Sequence, residues 1–240
     1  MILVNEFLGN TGFTSSDLYL YVIQLGAILA VVTLYFKKLN PFSPSKTVQE
    51  KCDTWQMWFK VIAACLPAAV IGLLLNDFME HFENWQVVSA MLILYGIAFL
   101  FAERKEKKAV VCNMSDMSYK TAILIGMFQV LSIIPGTSRS GATILGAMLI
   151  GCSRSLAAEF SFFLAIPVMF GVSFLKIITT DQILNVQNLT VLIAGMLTAY
   201  LVSVASIKFL IDFVKKHNFK SFGWYRILLG IIIIVYFTFV

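Results

Sequence analysis

Five stretches of this chain are each long and apolar enough to cross a lipid bilayer: Leu18 to Phe36, Trp58 to Leu75, Leu156 to Leu175, Leu189 to Ile211 and Trp224 to Val240. Val87 to Ala102 is a shorter sixth. A crossing helix needs about 20 such residues for about 30 Å of hydrocarbon, and a shorter one is tolerated by local thinning or snorkelling. This recurrence confines the fold, because in lipid every backbone N–H and C=O must find a partner within the protein, and segments of this length do so as helices. Composition excludes the soluble alternative: 59% of the residues are hydrophobic and only 13% charged, where soluble domains carry nearly twice that share. The expectation is an all-α polytopic membrane protein with six transmembrane helices.

Two further apolar stretches, Tyr119 to Ile134 and Ala142 to Cys152, are too short to cross. At about 1.5 Å per residue they reach roughly 24 Å and 17 Å. Between them lies a polar turn, and the three segments together read as a re-entrant helical hairpin over residues 119–152. Non-helical backbone at membrane depth survives only where it is buried in protein or lines a wet cavity.

The loops test this topology. Asn76 to Gln86 and Ile177 to Asn188 contain no Lys or Arg. Lys37 to Met57 contains four (Lys37, Lys38, Lys46 and Lys51), Glu103 to Ser118 four, and Asp212 to Gly223 three. A hairpin that leaves and returns on one face puts all three basic loops on the same side, as the positive-inside rule requires, with both termini outside. The net charge of +5 is then topological and calls for no nucleic-acid partner. Cys52, Cys65, Cys112 and Cys152 show neither CxxC pairing nor a nearby His, so they read as inert thiols. His81 and His217 fall in loops, and no metal-ligand cluster is evident.

Laid so that Met1 falls on Thr143, "MILVNEFLGNT" covers "TILGAMLIGCS", matching Ile2 with Ile144, Leu3 with Leu145 and Gly9 with Gly151. The same offset brings three spans of each half into rough register with opposite orientation, the sign of an inverted repeat. The organisation expected is a first repeat over 1–102 with three spans, a basic cytoplasmic loop over 103–118, and a second repeat over 119–240. On this register the first repeat lacks the counterpart of the hairpin's first arm and turn, so the first hairpin is expected to be truncated.

The polar turn carries the chemistry. In "IIPGTSRSGATIL" an arginine stands among hydroxyls and glycines with apolar sequence on both sides. An arginine near the bilayer centre costs about 2.5 to 3.5 kcal/mol on insertion scales, so an intramembrane Arg139 points to function. Its planar fork of donors suits phosphate oxygens. Thr137, Ser138, Ser140 and Thr143 add neutral donors, Gly136 and Gly141 permit close backbone approach, and an arm starting near Ala142 aims a helix N-terminus at the same spot. The bland reading pairs Arg139 with Glu159 as structural glue, or has Glu159 orient Arg139. Gln129 is a further intramembrane polar group that can support the site. Arg154 lies at the predicted inner boundary, where snorkelling accounts for it.

"PGTSRSGATI" (Pro135 to Ile144) resembles the signature turn of the bacterial undecaprenyl pyrophosphate phosphatases, also called bacitracin-resistance phosphatases. "VIQLGAILAVV" at Val22, "AAEFSFFLAIPVMFG" at Ala157 and "SIKFL" at Ser206 fall in the family's order. The resemblance implies six spans with two re-entrant hairpins in an inverted repeat. It also implies hydrolysis of undecaprenyl pyrophosphate to undecaprenyl phosphate and phosphate, which recycles the cell-wall lipid carrier in the bacterial plasma membrane. Carried over by position, it assigns functional roles to Arg139, Ser138 and Thr143 and places Gly136 and Ser140 in the same motif. It further implies a divalent metal (Mg2+ or Ca2+), served by a Glu-x-x-x-Glu pair and a His in the first hairpin. Registering on "VIQLGAIL" puts Met1 just after that His, so those ligands are expected to be absent and Glu6 to be noncatalytic.

The expected partners are the lipid pyrophosphate and the membrane, with a homodimer as an assembly the reading allows. The rival readings are a lipid-phosphate transporter or flippase, since transporters share the inverted-repeat architecture, and a catalytically inactive truncated form.

Overall fold

The structure, a computed structural model, describes residues 17–80, 82, 84–104, 109–179 and 186–239. The missing-hairpin expectation, Glu6 and His81 lie outside the described residues. Those described form helices α1 (Asp17–Leu34), α2 (Phe36–Leu39), α3 (Val48–Glu80), α4 (Trp85–Arg104), α5 (Tyr119–Val130), α6 (Arg139–Ile150), α7 (Arg154–Thr179), α8 (Val186–Lys216) and α9 (Lys220–Phe239). A 3-10 turn, Leu131–Ile133, extends α5. Among the described residues there is no strand, only an isolated bridge between Val111 and Cys152.

Five segments are long and apolar enough to cross a membrane: Val48–Gly72, Trp85–Arg104, Arg154–Thr179, Asn188–Lys216 and Lys220–Phe239. Leu18–Leu34, Tyr119–Ile133 and Arg139–Ile150 are shorter apolar helices. Large apolar side chains line the outer faces, as Leu228, Ile231, Ile232 and Val235 do on α9. A surface of that kind is stable against hydrocarbon and not against water.

α3 starts well before the apolar stretch at Trp58, inside what the sequence suggests is a loop. The cause is local. Thr47 and Glu50 form a capping box: the Thr47 N–H donates to Glu50 Oε2 (2.7 Å) and the Glu50 N–H to Thr47 Oγ1 (3.3 Å).

The chain divides into two compact units, one formed by Met1–Trp55 and Phe162–Ile211, the other by Gln56–Ser161 and Asp212–Val240. Each boundary falls inside a long helix. In the first unit α1 packs closely on α8: a Cβ on Gly26 would lie 2.3 Å from the Met196 carbonyl oxygen. Ser173 Oγ donates to the Tyr21 carbonyl (3.1 Å), and Tyr35 meets Phe163 edge to face.

In the second unit α4 and α9 run antiparallel, with Gly96 against Gly223 and Trp85 stacked on Phe237. A Cβ on Gly96 would lie 2.7 Å from the Gly223 carbonyl oxygen, the small-residue packing by which membrane helices approach. At the other end of α4 the buried Glu103 accepts from Arg154 Nε (2.8 Å), from Arg154 Nη2, and from the Phe219 N–H (3.0 Å). Arg154 is therefore more than a snorkelling cation: it and Glu103 fasten the starts of α7 and α9 to the end of α4. The arms α5 and α6 pack with Gly146 against the Phe128 ring, and Gly126 lies against the backbone of Ala64 on α3.

Candidate active site

The first arm ends where its sequence dictates. Pro135 disfavours helical backbone at the preceding residue, and Ile134 leaves the helix at φ −71°, ψ 123°. The Thr137 N–H then donates to the Ile134 carbonyl (3.2 Å), with Gly136 at φ +86°. Proline in the second position and a left-handed glycine in the third make Ile134 to Thr137 a type II turn. The turn lies directly on α4, because a Cβ on Gly136 would stand 2.6 Å from Val88 Cα and 2.8 Å from its carbonyl oxygen.

Ser138 follows at φ +41°, ψ 113°, the only non-glycine residue with positive φ among those described. Such backbone costs on the order of 1–3 kcal/mol and persists only where its surroundings hold it. Its Oγ accepts the Gly141 N–H (3.3 Å) and lies 3.3 Å from Ser140 Oγ. Ser138 is thus the N-cap, and α6 begins at Arg139, three residues earlier than the expected start near Ala142. At its far end α6 closes on Gly151 at φ +105°, with the Cys152 N–H donating to the Ala147 carbonyl (2.9 Å).

The structure gathers most of the expected site residues at this turn. Ser138 and Ser140 are exposed, Arg139 and Gly136 are partly buried, and Thr137 and Gly141 are buried. Arg139 makes no ion pair among the described residues, so the bland alternative, a pairing with Glu159, does not form there; Glu159 is half-buried on α7. Thr143 is buried, and its Oγ1 lies 2.6 Å from Ser161 Oγ and donates along α6 to the Arg139 or Ser140 carbonyl (3.1 Å each). Its hydroxyl ties α6 to α7. Gln129 is buried on α5, where its carbonyl accepts the Ser132 hydroxyl (2.7 Å). The Thr137 hydroxyl is fully buried with no hydrogen-bond partner among the described residues.

One residue at the turn was not foreseen. Arg226, on α9, is 2% exposed, and its Nη2 donates to the Gly136 carbonyl (3.1 Å). Its guanidinium carbon stands 5.5 Å from the centre of the Tyr95 ring and 5.8 Å from that of Phe222. Nη1 occupies the space above Gly141, where a Cβ would lie 2.7 Å away. The signal was available: Arg226 stands inside the apolar stretch Trp224 to Val240, and the rule that singled out Arg139 applies to it equally.

Elsewhere the candidates recede. His217 is exposed and stacks on Phe213. Burial pushes the Cys152 thiol up to about 11, which keeps it protonated and unreactive. Among the described residues no three His, Cys, Asp or Glu side chains cluster to hold a metal ion. Guanidinium groups and hydroxyls at the turn do not make a divalent-cation site, so the metal implied by resemblance has no fit there.

A family model described as bacitracin resistance protein BacA matches residues 1–232. An undecaprenyl-diphosphatase of Enterococcus faecalis is 54% identical over 246 residues, covering 100% of this chain and 89% of the relative. One from Lactobacillus delbrueckii subsp. bulgaricus is 56% identical over 225 residues (91% of this chain, 82% of the relative), and one from Lactiplantibacillus plantarum is 52% identical over 248 (99% and 89%).

Proposed function

The chain belongs to the bacitracin resistance protein BacA family, and from that premise we infer that it is an undecaprenyl-diphosphatase whose substrate phosphates bind at the turn Gly136 to Thr143. The enzyme hydrolyses undecaprenyl pyrophosphate to undecaprenyl phosphate and phosphate, and it confers resistance to bacitracin. The observation that carries the site assignment is Arg139: a guanidinium in a re-entrant turn, at the first residue of α6, with no ion pair among the described residues.

Each residue of the turn then has a task. Arg139 grips two oxygens of the pyrophosphate and stabilises charge as the bond to the bridging oxygen breaks. Ser138 and Ser140, on the exposed side, donate hydroxyl hydrogen bonds, and the first free N–H groups of α6 add to the field. Gly136 and Gly141 give the turn its shape. Thr143 positions the turn through Ser161. Arginine is the only titratable side chain in the turn, so its contribution is binding and charge stabilisation, with no group to relay a proton near neutral pH.

Six helices cross, with Leu18–Leu34 as the sixth, and α5 and α6 form a re-entrant hairpin, since about 18 Å of helix apiece falls short of the bilayer core. The repeats are 1–102 and 119–240, inverted about the basic segment 103–118, with the Lys/Arg-rich loops cytoplasmic and both termini outside.

Arg139→Lys tests the site. It keeps the charge and removes the fork, so phosphate release from a prenyl pyrophosphate in detergent is expected to fall about 10²-fold or more. Wild-type turnover would return Arg139 to a structural role.

A further inference from the structure

We propose that Arg226 is the second guanidinium of the anion-binding turn: it fixes the turn through the Gly136 carbonyl and keeps its own positive charge uncancelled beside it. This rests on the reading of the turn as the pyrophosphate site.

The second unit contains a direct contrast. Arg154, half-exposed, is met by the Glu103 carboxylate, which cancels its charge. Arg226, more deeply buried, is met by no carboxylate among the described residues; it lies against the faces of Tyr95 and Phe222. Aromatic faces stabilise a cation through their quadrupole and leave its net charge intact. A residue needed only to hold the Gly136 carbonyl could be a neutral amide, and burying a guanidinium for that purpose alone would be wasteful.

Two buried polar atoms also lack partners. Arg226 Nε has no acceptor among the described residues, and Thr137 Oγ1, one residue beyond Gly136, has neither donor nor acceptor. Buried polar groups in native structures are nearly always paired, so one orphan within the turn and one on the arginine bonded to it leave this part of the protein short of acceptors. The turn and the arginine bonded to it together carry two guanidinium groups and several hydroxyls, donors that suit an anion with several oxygens.

Glycine at 141 fits the same account. Nη1 stands where a side chain at Gly141 would be, so one arm of the guanidinium reaches the start of α6 while Nη2 reaches Gly136. Only a fork held at two points does both, and a lysine supplies the charge without the second contact.

The test uses the enzyme in detergent, with inorganic pyrophosphate as a competitive inhibitor of phosphate release, at low and high salt. Arg226→Gln keeps a donor for Gly136 and removes the charge; it is expected to raise the inhibition constant about tenfold or more and to flatten its salt dependence. Arg226→Lys keeps the charge, and its inhibition constant should stay within about threefold of wild type while kcat falls because the fork is lost. Equal inhibition constants for the two variants, or a wild-type value for Arg226→Gln, would overturn the proposal. Arg139→Gln separates it from its premise, because wild-type inhibition in that variant would sink the reading of the turn itself. Should Arg226→Gln fail to fold, Gly141→Ala takes its place, since it displaces Nη1 with the arginine intact. A several-fold weaker inhibition supports the proposal there, and an unchanged one refutes it.

Discussion

Replacing Gly136 by alanine adds one methyl group and should cost nearly all of the activity. The residue sits at φ +86°, in the left-handed region that costs a side-chain-bearing residue about 1–2 kcal/mol. The added carbon would stand 2.6 Å from Val88 Cα, where ordinary contact begins at 3.4 Å, so the turn must retreat by about 0.8 Å. α4 cannot give way instead, because the colliding atoms are its backbone. The retreat stretches the 3.1 Å bond from Arg226 to the Gly136 carbonyl, and a hydrogen bond to a charged group is worth about 1.5–3 kcal/mol. Part of that bond plus the backbone strain gives a loss of about 2–4 kcal/mol in stability. For turnover the displacement matters more, since a misplacement of about 1 Å in a positioning element costs about 10²-fold. Phosphate release from a prenyl pyrophosphate in detergent measures the rate, and a thermal melt on the same sample shows that the protein is folded. The control is Gly171→Ala on α7, where an added carbon meets nothing within 4 Å; it should keep wild-type activity and lose no stability. A Gly136→Ala enzyme within threefold of wild type would refute the idea that the turn's position on α4 sets the rate.

Two further outcomes follow from the contacts around the turn. Thr143→Val removes the buried hydroxyl paired with Ser161 and should cost about 1–2 kcal/mol, and Ser161→Ala should reproduce its loss of activity. If Thr143→Val abolishes turnover while Ser161→Ala leaves it intact, Thr143 touches substrate directly. Glu103→Gln takes the charge from a carboxylate that gathers Arg154 and the Phe219 N–H, and the melting temperature should drop by several degrees, the equivalent of about 1–3 kcal/mol. An unchanged melt would mean that the ends of α4, α7 and α9 are held by packing alone.

What the sequence made legible were features that depend on a few neighbours or on total apolar length. Val87 to Ala102 read as a span and proved to be the core of Trp85–Arg104. The helix ends were less visible, because hydropathy marks the part of a helix that lies in hydrocarbon and is silent about the polar turns that extend it. The start of α3 was legible in principle, since Thr47 and Glu50 carry a capping box, but a loop dense in lysine masked it. At the site, Pro135 and Gly136 announce their turn in two letters. Ser138 does not, for a serine enters left-handed backbone only when distant groups hold it there. Thr143 was assigned by position in a motif, and only the fold reveals that its hydroxyl faces Ser161 on the next helix. Arg226 reaches the turn from 90 residues further along the chain, a distance that no local pattern spans.

Arg139 is the first residue of α6, and that location has a thermodynamic side. The N-terminus of a helix carries roughly half a positive charge, so a guanidinium at its first residue repels the dipole it belongs to. Arg226 Nη1 stands over the same first turn and adds a further positive charge to that end of the helix. In the proposed reading, the empty site is therefore the higher-energy state of the protein, and the substrate's phosphates act as the counterion that the fold itself omits. Binding and folding are then linked: the pyrophosphate titration that reads inhibition should also raise the melting temperature. A product that departs as free phosphate returns the turn to its uncompensated state, ready to attract the next anion.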